Sequence, residues 1–202
     1  MPFIIFDTEY TTWPGCQEHG WRGHQKREIV QLAAIKVSRD LRVLDTLNLL
    51  CRPVVNPVLS DYFTGLTGIT NADVKTRGIE FKEAYRQFRE FVGNNPCLSH
   101  SYGRPWTDET DGAVVAENLK IHQLSAGKAL KYYNIGAWFM AQYARQGIQN
   151  PPKSSGQIVK VLGLESRIKK LGLDEHNALY DDYSILIGMR YFVRQCGAEF
   201  RV

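Results

Sequence analysis

The chain has few cysteines, no long apolar run and no repeated or low-complexity segment. Its four cysteines are widely separated and form no CxxC pair, which argues against structural zinc and predicts reduced thiols. No apolar stretch approaches the roughly 20 residues of a membrane span. The first residues lack the basic and apolar regions of a signal peptide. We therefore expect a cytoplasmic protein that does not enter a membrane.

Charge says little about the partners of this protein. The 202 residues include 25 Lys and Arg against 21 Asp and Glu, and 44% of them are hydrophobic. A chain of this length can bury a substantial core, and its composition excludes disorder, collagen and coiled coil. The formal net charge of +4 is compatible with a polyanionic partner, but many unrelated enzymes are equally basic.

The order of the predicted elements indicates a mixed α/β sheet flanked by helices. An apolar run at 3–6 predicts a first strand that stops at Asp7, and residues 97–100 predict a short fourth strand. Between them, 28–37 and 41–51 predict two strands joined by a short polar turn, which favours antiparallel pairing. Helices are predicted at 81–92, 112–124, 135–143, 158–162 and about 176–194, after a loop and short helix at 66–74. Because no segment resembles a linker, one domain over 1–202 is the simplest prediction.

Two carboxylates stand directly after the first predicted strand. Asp7 and Glu9 are two residues apart, so they point to the same side of an extended chain. Carboxylates held that close repel each other unless a cation lies between them, and a hard divalent ion with oxygen ligands removes the repulsion. A bare D-x-E pattern is more often a solvated strand end, so it needs support from elsewhere in the chain.

A second polar group lies near the start of the last predicted helix. His176 precedes Asp181 by five residues, a spacing that can bring an imidazole and a carboxylate into one pocket. An acidic cluster that complements the helix dipole, beside a surface histidine, explains the same residues equally well. Asp182 is interpreted as such a helix-dipole acid.

Together, the two ends of the chain resemble the DEDDh exonuclease superfamily, which includes proofreading subunits, RNase T, oligoribonuclease and RNA-trimming exonucleases. The D-x-E and H-x-x-x-x-D patterns occur in the family's order. Residues 28–35 are similar to its second strand, and 66–74 are similar to its L-T-G-I-x-x-x-x-V loop. The resemblance covers nearly the whole chain, and it implies a ribonuclease H-like mixed sheet whose first three strands are antiparallel.

The central acidic residue of this family has two candidates here. Residues 99–111 are longer than the compact turn that the family has at this place. Asp111 is preferred because 112–119 resemble the helix that follows the family's catalytic aspartate. Asp108 is the alternative.

The resemblance implies a metal-dependent 3′→5′ exonuclease that acts on single-stranded DNA or RNA and releases nucleoside 5′-monophosphates. It implies His176 as general base, since an unperturbed histidine pKa of roughly 6.5 suits proton transfer near neutrality. The implied ligands of two Mg²⁺ or Mn²⁺ ions are Asp7, Glu9, Asp111 and Asp181. The residues implied to surround the terminal nucleotide are Thr8, Tyr10, Leu66 and Thr67.

Other interpretations stay open. A catalytically inactive exonuclease fold could serve as a nucleic-acid-binding or scaffold module, and the same site could act as a phosphodiesterase on very short oligonucleotides. The sequence does not distinguish DNA from RNA. Relatives in this superfamily often form dimers, so the resemblance leaves a homodimer open.

Two further segments have competing interpretations. The insert 11–27 is either a lip for the substrate, because aromatic faces stack on bases and cations follow phosphates, or a surface loop pinned by tryptophans. Ser154, Ser155 and Gly156 are expected to cap the helix at 158 rather than present amides to a phosphate. The aromatic and cationic residues of the insert are Trp13, Trp21, Arg22, His24, Lys26 and Arg27.

Overall fold

The computed structural model describes residues 1–101, 110–173 and 177–200, and a five-stranded mixed sheet lies at its centre. The sheet has the order β3-β2-β1-β4-β5. β1, β2 and β3 pair antiparallel, whereas β4 and β5 run parallel to β1. The predicted mixed sheet with three antiparallel strands is therefore confirmed. Its strands are β1 (Phe3–Tyr10), β2 (Ile29–Val37), β3 (Val43–Leu50), β4 (Cys97–Ser99) and β5 (Tyr132–Asn134).

Helices flank both faces of the sheet. The predicted helix at 81–92 is confirmed at both ends, because its apolar residues recur at helical spacing and bury one side. Within the described part of the chain, no helix is both long enough and apolar enough to cross a bilayer. The helices are α1 (Cys16–His19), α2 (Asp61–Thr67), α3 (Asn71–Arg77), α4 (Phe81–Val92), α5 (Asp111–Ile121), α6 (Gly136–Arg145), α7 (Ile158–Val161), α8 (Glu165–Lys169) and α9 (Ala178–Gln195).

The segment predicted as a loop and one short helix at 66–74 contains parts of two helices instead. The Ser60 side chain accepts a hydrogen bond from the backbone of Phe63 and begins α2, which ends at Gly68 in the left-handed conformation. Thr70 then begins α3 through a capping box with Asp73. Each cap involves only the first residues of its helix, so it can begin a helix of only seven residues. A helix that short does not show a clear apolar period in the sequence.

β1 continues past Asp7, where the apolar run predicted it to stop. Asp7 pairs with Ala33 and Glu9 pairs with Gln31 on β2, so the strand is hydrogen-bonded through the D-x-E pattern. The alternation of a strand therefore applies to both carboxylates. Phe3 and Ile5 pack in the core under α6 and α9, and Asp7 and Glu9 continue on that same face.

Glu28 ties the start of β2 to the loop that follows β3. Its side chain is fully buried, and one carboxylate oxygen accepts the backbone N–H groups of Val54 and Val55 at 2.6 and 2.9 Å. The other oxygen accepts the N–H of Asn56 at 2.6 Å. These three hydrogen bonds to an anionic acceptor hold the loop to the sheet.

We expect Glu28→Gln to destabilise the chain by about 2 kcal/mol, because hydrogen bonds to a charged acceptor are strong and the amide nitrogen cannot accept the N–H groups that it would face. Urea denaturation measures the change. Glu90→Gln on the exposed face of α4 is the matched control, since its ion pair with Arg86 is solvent-exposed and such pairs contribute little. Equal midpoints for the two variants would contradict the role assigned to Glu28.

Candidate metal centre

Three carboxylates from opposite ends of the chain meet beside β1. Asp7 and Glu9 come from the strand, and Asp181 comes from the first turn of α9. One oxygen of each lies within 4.8 Å of an oxygen of the other two. Asp7 and Asp181 are buried and Glu9 is half-buried. This grouping offers only oxygen ligands, which suit a hard divalent cation such as Mg²⁺ or Mn²⁺.

The start of α9 is fixed to the sheet by amide hydrogen bonds. The Asn177 side chain caps the helix by accepting the N–H of Leu179 at 3.1 Å. Gln31 on β2 accepts the N–H of Ala178 at 3.0 Å and donates its amide to Asn177 at 3.2 Å. Because Gln31 is the residue opposite Glu9 in the β1–β2 pair, the same bonds bring the first turn of α9 to the D-x-E pattern.

The carboxylates repel one another in a largely buried site. Burial and the neighbouring Asp111, Asp181 and Glu9 raise the pKa of Asp7 well above its usual range. Burial, Asp181 and Asp111 likewise raise the pKa of Glu9. A positive charge beside these carboxylates would lower their pKa values, so a bound cation would stabilise the site.

Asp111 lies next to this group at the first position of α5. Its Oδ1 accepts hydrogen bonds from the backbone N–H of Thr8 at 2.9 Å and from the Thr8 hydroxyl at 2.5 Å. Burial raises the pKa of Asp111 to about 6, although the hydrogen bonds from Thr8 act in the opposite direction. Asp111 is thus close enough to act on the charges of Asp7 and Glu9, but it lies outside the group within 4.8 Å.

Two residues of the sequence prediction cannot be placed. His176, the predicted general base, and Asp108, the alternative to Asp111, lie outside the described residues. Their roles stay predictions.

The residues predicted to surround the terminal nucleotide already have other contacts. Thr8 is buried and bonded to Asp111, and the ring of Tyr10 packs against Trp21 with centroids 5.6 Å apart. The Thr67 hydroxyl donates to the carbonyl of Phe63 within α2 at 3.0 Å. Leu66 is half-buried on α2. Contact of these four residues with a nucleotide stays a prediction.

The turn at Ser155 and Gly156 supports Asp181, a role that the sequence prediction missed. The Ser155 hydroxyl donates to Asp181 Oδ2 at 2.9 Å and lies 3.5 Å from Asp7 Oδ1. A Cβ atom on Gly156 would lie 2.5 Å from Asp181 Oδ1. From α9, the Ser184 hydroxyl donates to the carbonyl of Ser155 at 2.7 Å and holds the turn in place.

The expected capping role of this turn is wrong. Ser154 makes no side-chain cap bond to the 3₁₀ turn Ser155–Gln157, and α7 begins at Ile158 without one as well. The Ser155 hydroxyl is directed at the carboxylates instead.

The interpretation of Asp182 as a helix-dipole acid is wrong, because the first turn of α9 contains Asp181 but not Asp182. The side chain is 0% exposed. The signal that could have located it is its spacing, because Ile185, Leu186 and Met189 follow at three, four and seven residues and all belong to the core.

Part of the insert 11–27 is pinned to the body of the protein. The indole N–H of Trp21 donates to the carbonyl of Thr11 at 2.8 Å. Arg27 forms an ion pair with Glu117 on α5 and lies 5.4 Å from the ring of Trp21. Of the basic residues expected to contact the substrate, Arg22, His24 and Lys26 are exposed. Whether they form a lip for the substrate stays a prediction.

The mixed sheet, the flanking helices and the acidic group beside β1 together define an exonuclease domain of the ribonuclease H-like class. The profile of the RNase T family, described as Exonuclease, matches residues 4–186, and the chain belongs to this family. It is therefore an exonuclease. A comparison with curated protein sequences found no match.

Solved structures with a similar fold include several nucleases. Cell-death related nuclease 4 (CRN-4) aligns with a TM-score of 0.70 and 16% identity over 96% of this chain and 64% of CRN-4. The nuclease domain of 3′hExo, a DEDDh family member bound to rAMP, aligns with a TM-score of 0.65 and 21% identity over 99% of this chain and 94% of that domain. Exonuclease I of E. coli, in complex with a dT13 oligonucleotide, aligns with a TM-score of 0.68 and 16% identity over 96% of this chain but only 41% of its own length.

Proposed function

We propose that this exonuclease removes nucleotides from the 3′ end of single-stranded DNA or RNA and releases nucleoside 5′-monophosphates. The observation that carries the proposal is the meeting of Asp7, Glu9 and Asp181 within 4.8 Å on one face of the sheet. A single-stranded substrate agrees with the dT13 oligonucleotide that is bound in the structure of E. coli exonuclease I. An rAMP ligand in 3′hExo agrees with a nucleoside monophosphate as product.

The donor set fits two divalent ions, Mg²⁺ or Mn²⁺. Asp7, Glu9 and Asp181 would hold them, and Asp111 would complete the set from the start of α5. When bound, two such ions lower the pKa of a water molecule and offset charge on the leaving 3′ oxygen. The protein's own part is to keep four carboxylates in a buried site, where the repulsion among them favours the metal-loaded state.

We propose His176 as the general base that accepts the proton of the attacking water. His176→Ala should lower kcat and leave KM nearly unchanged, because a base acts in the chemical step. Steady-state kinetics on a short oligonucleotide measures both constants. The matched control is His19→Ala, which removes an exposed imidazole at the end of α1. A raised KM with unchanged kcat would assign His176 to substrate contact instead.

The terminal nucleotide would be bound beside the end of β1 by Thr8, Tyr10, Leu66 and Thr67. Of these, Leu66 has a partly exposed apolar side chain that can pack against a base. Thr8 would act indirectly, since its hydroxyl holds Asp111.

The experiment that tests the proposed function uses 5′-labelled single-stranded DNA and RNA oligonucleotides with Mg²⁺, with Mn²⁺ and with EDTA. We expect a metal-dependent ladder that shortens from the 3′ end, and chromatography should identify nucleoside 5′-monophosphates. Folded protein that gives no ladder on either polymer in the presence of metal would contradict the proposal. Cleavage confined to substrates of two or three nucleotides would identify a phosphodiesterase of very short oligonucleotides.

A further inference from the structure

Asp182 carries a buried carboxyl group whose two oxygens have no hydrogen-bond partner among the described residues. The side chain is 0% exposed. Buried polar groups are nearly always hydrogen-bonded, and an unpaired buried carboxylate destabilises a protein by several kcal/mol. The fold alone therefore does not explain why a carboxyl group occupies this position.

The place of Asp182 on α9 makes the group more unusual. Ala178, four residues earlier, and Ile185 and Leu186, three and four residues later, lie on the same side of the helix and belong to the core between α9 and the sheet. An apolar side chain would suit this position as well as its neighbours. Asp181, one residue earlier, belongs to the three-carboxylate group.

Among the residues that the structure describes, the charged groups that act on Asp182 are of its own sign. These groups are Asp111 and Asp181, and Asp182 in turn acts on Asp7. Its oxygens do not belong to the group within 4.8 Å, but Asp182 is the residue directly after Asp181 on α9. A cation held by Asp7, Glu9 and Asp181 would place a charge of opposite sign beside these acids.

We propose that Asp182 is a positioning residue of the metal centre, a fifth carboxylate behind the ligands that strengthens the binding of the divalent ions without ligating them. This inference rests on the proposed function, because it needs ions at the three-carboxylate group. A carboxylate in a dry environment attracts a nearby cation much more strongly than one in water does. The buried carboxylate of Asp182 therefore destabilises the chain that lacks metal ions and stabilises the chain that has bound them.

The test is a calorimetric titration of the metal-free full chain with Mn²⁺, which requires no substrate and no turnover. Asp182→Asn keeps the shape of the side chain and removes its charge, so we expect the Mn²⁺ affinity to fall about 10–100-fold, the range found when a residue behind a metal ligand is changed. The matched control is Asp45→Asn, which removes an exposed carboxylate from β3 and should leave the affinity unchanged. Asp182→Ala serves as a second variant if the amide prevents folding.

The outcomes separate this inference from the proposed function. Equal Mn²⁺ affinity for Asp182→Asn and the unaltered chain would overturn the role of Asp182 and leave the exonuclease site intact. A lower melting temperature of the metal-free variant with unchanged Mn²⁺ affinity would also overturn it, since it would make Asp182 purely structural. Failure of the unaltered chain to bind Mn²⁺ would overturn both.

Discussion

Asp7→Asn should abolish turnover, by about 10³-fold or more, and leave the fold intact. Asp7 lies between the other members of the site, within 4.8 Å of Glu9 and Asp181 and 3.5 Å from the Ser155 hydroxyl. An amide has the same shape but one oxygen and no charge, so it would weaken the binding of the divalent ions. Loss of several kcal/mol of charge stabilisation in the transition state corresponds to a change of this size.

The same substitution should raise the melting temperature of the metal-free chain. Asp7 is 8% exposed and is surrounded by carboxylates, so removing its charge relieves repulsion in a dry site. Loss of activity together with a gain in stability cannot come from misfolding. Circular dichroism melts in EDTA and the ladder assay in Mn²⁺ measure the two effects, with Asp45→Asn as the control for a lost exposed charge. Activity near that of the unaltered chain would remove Asp7 from the site.

The parts of the fold that the sequence predicts well are those with a full apolar period. The helical spacing in α4 extends over 12 residues, and the helix begins and ends where the pattern indicates. The apolar run at 3–6 locates β1 but not its end, because the strand continues to Tyr10. The elements that the pattern missed, α1, α8 and β5, contain three to five residues. A segment that short cannot display a period, and its conformation is decided by the surroundings.

The candidate site divides in a similar way. The paired spacing of Asp7 and Glu9 and the distant Asp181 can be read from the sequence because each lies in a recognisable local pattern. The role of Ser155 cannot be predicted from a local pattern, because its hydrogen bond to Asp181 spans 26 residues and depends on how α9 packs. Asp182 shows the opposite problem: the acidic pair near the start of the helix suggests that both acids complement the helix dipole, yet Asp182 follows the first turn and lies on the face of α9 that packs on the sheet.

Gly156→Ala should lower activity by about 10²-fold, because the added methyl group would take space that Asp181 occupies. The Cβ atom would lie 2.5 Å from Asp181 Oδ1 and 3.3 Å from its Cγ. The turn cannot easily retreat, since the Ser184 hydroxyl holds the carbonyl of Ser155 at 2.7 Å. The carboxylate must therefore shift, and a displacement of about 1 Å in a catalytic group can reduce the rate by this factor.

Gly188→Ala is the control that separates a displaced ligand from a strained core. Its Cβ atom would also meet a neighbour at 2.5 Å, but that neighbour is the Ile158 side chain, with the ring of Phe139 at 2.9 Å. We expect Gly188→Ala to lower the melting temperature while each folded molecule keeps its activity and its affinity for Mn²⁺. Gly156→Ala should instead weaken Mn²⁺ binding in calorimetric titration and lower activity even well below its melting temperature. If both variants lose stability and neither loses Mn²⁺ affinity, then Asp181 does not depend on the turn, and the space at Gly156 matters for packing alone.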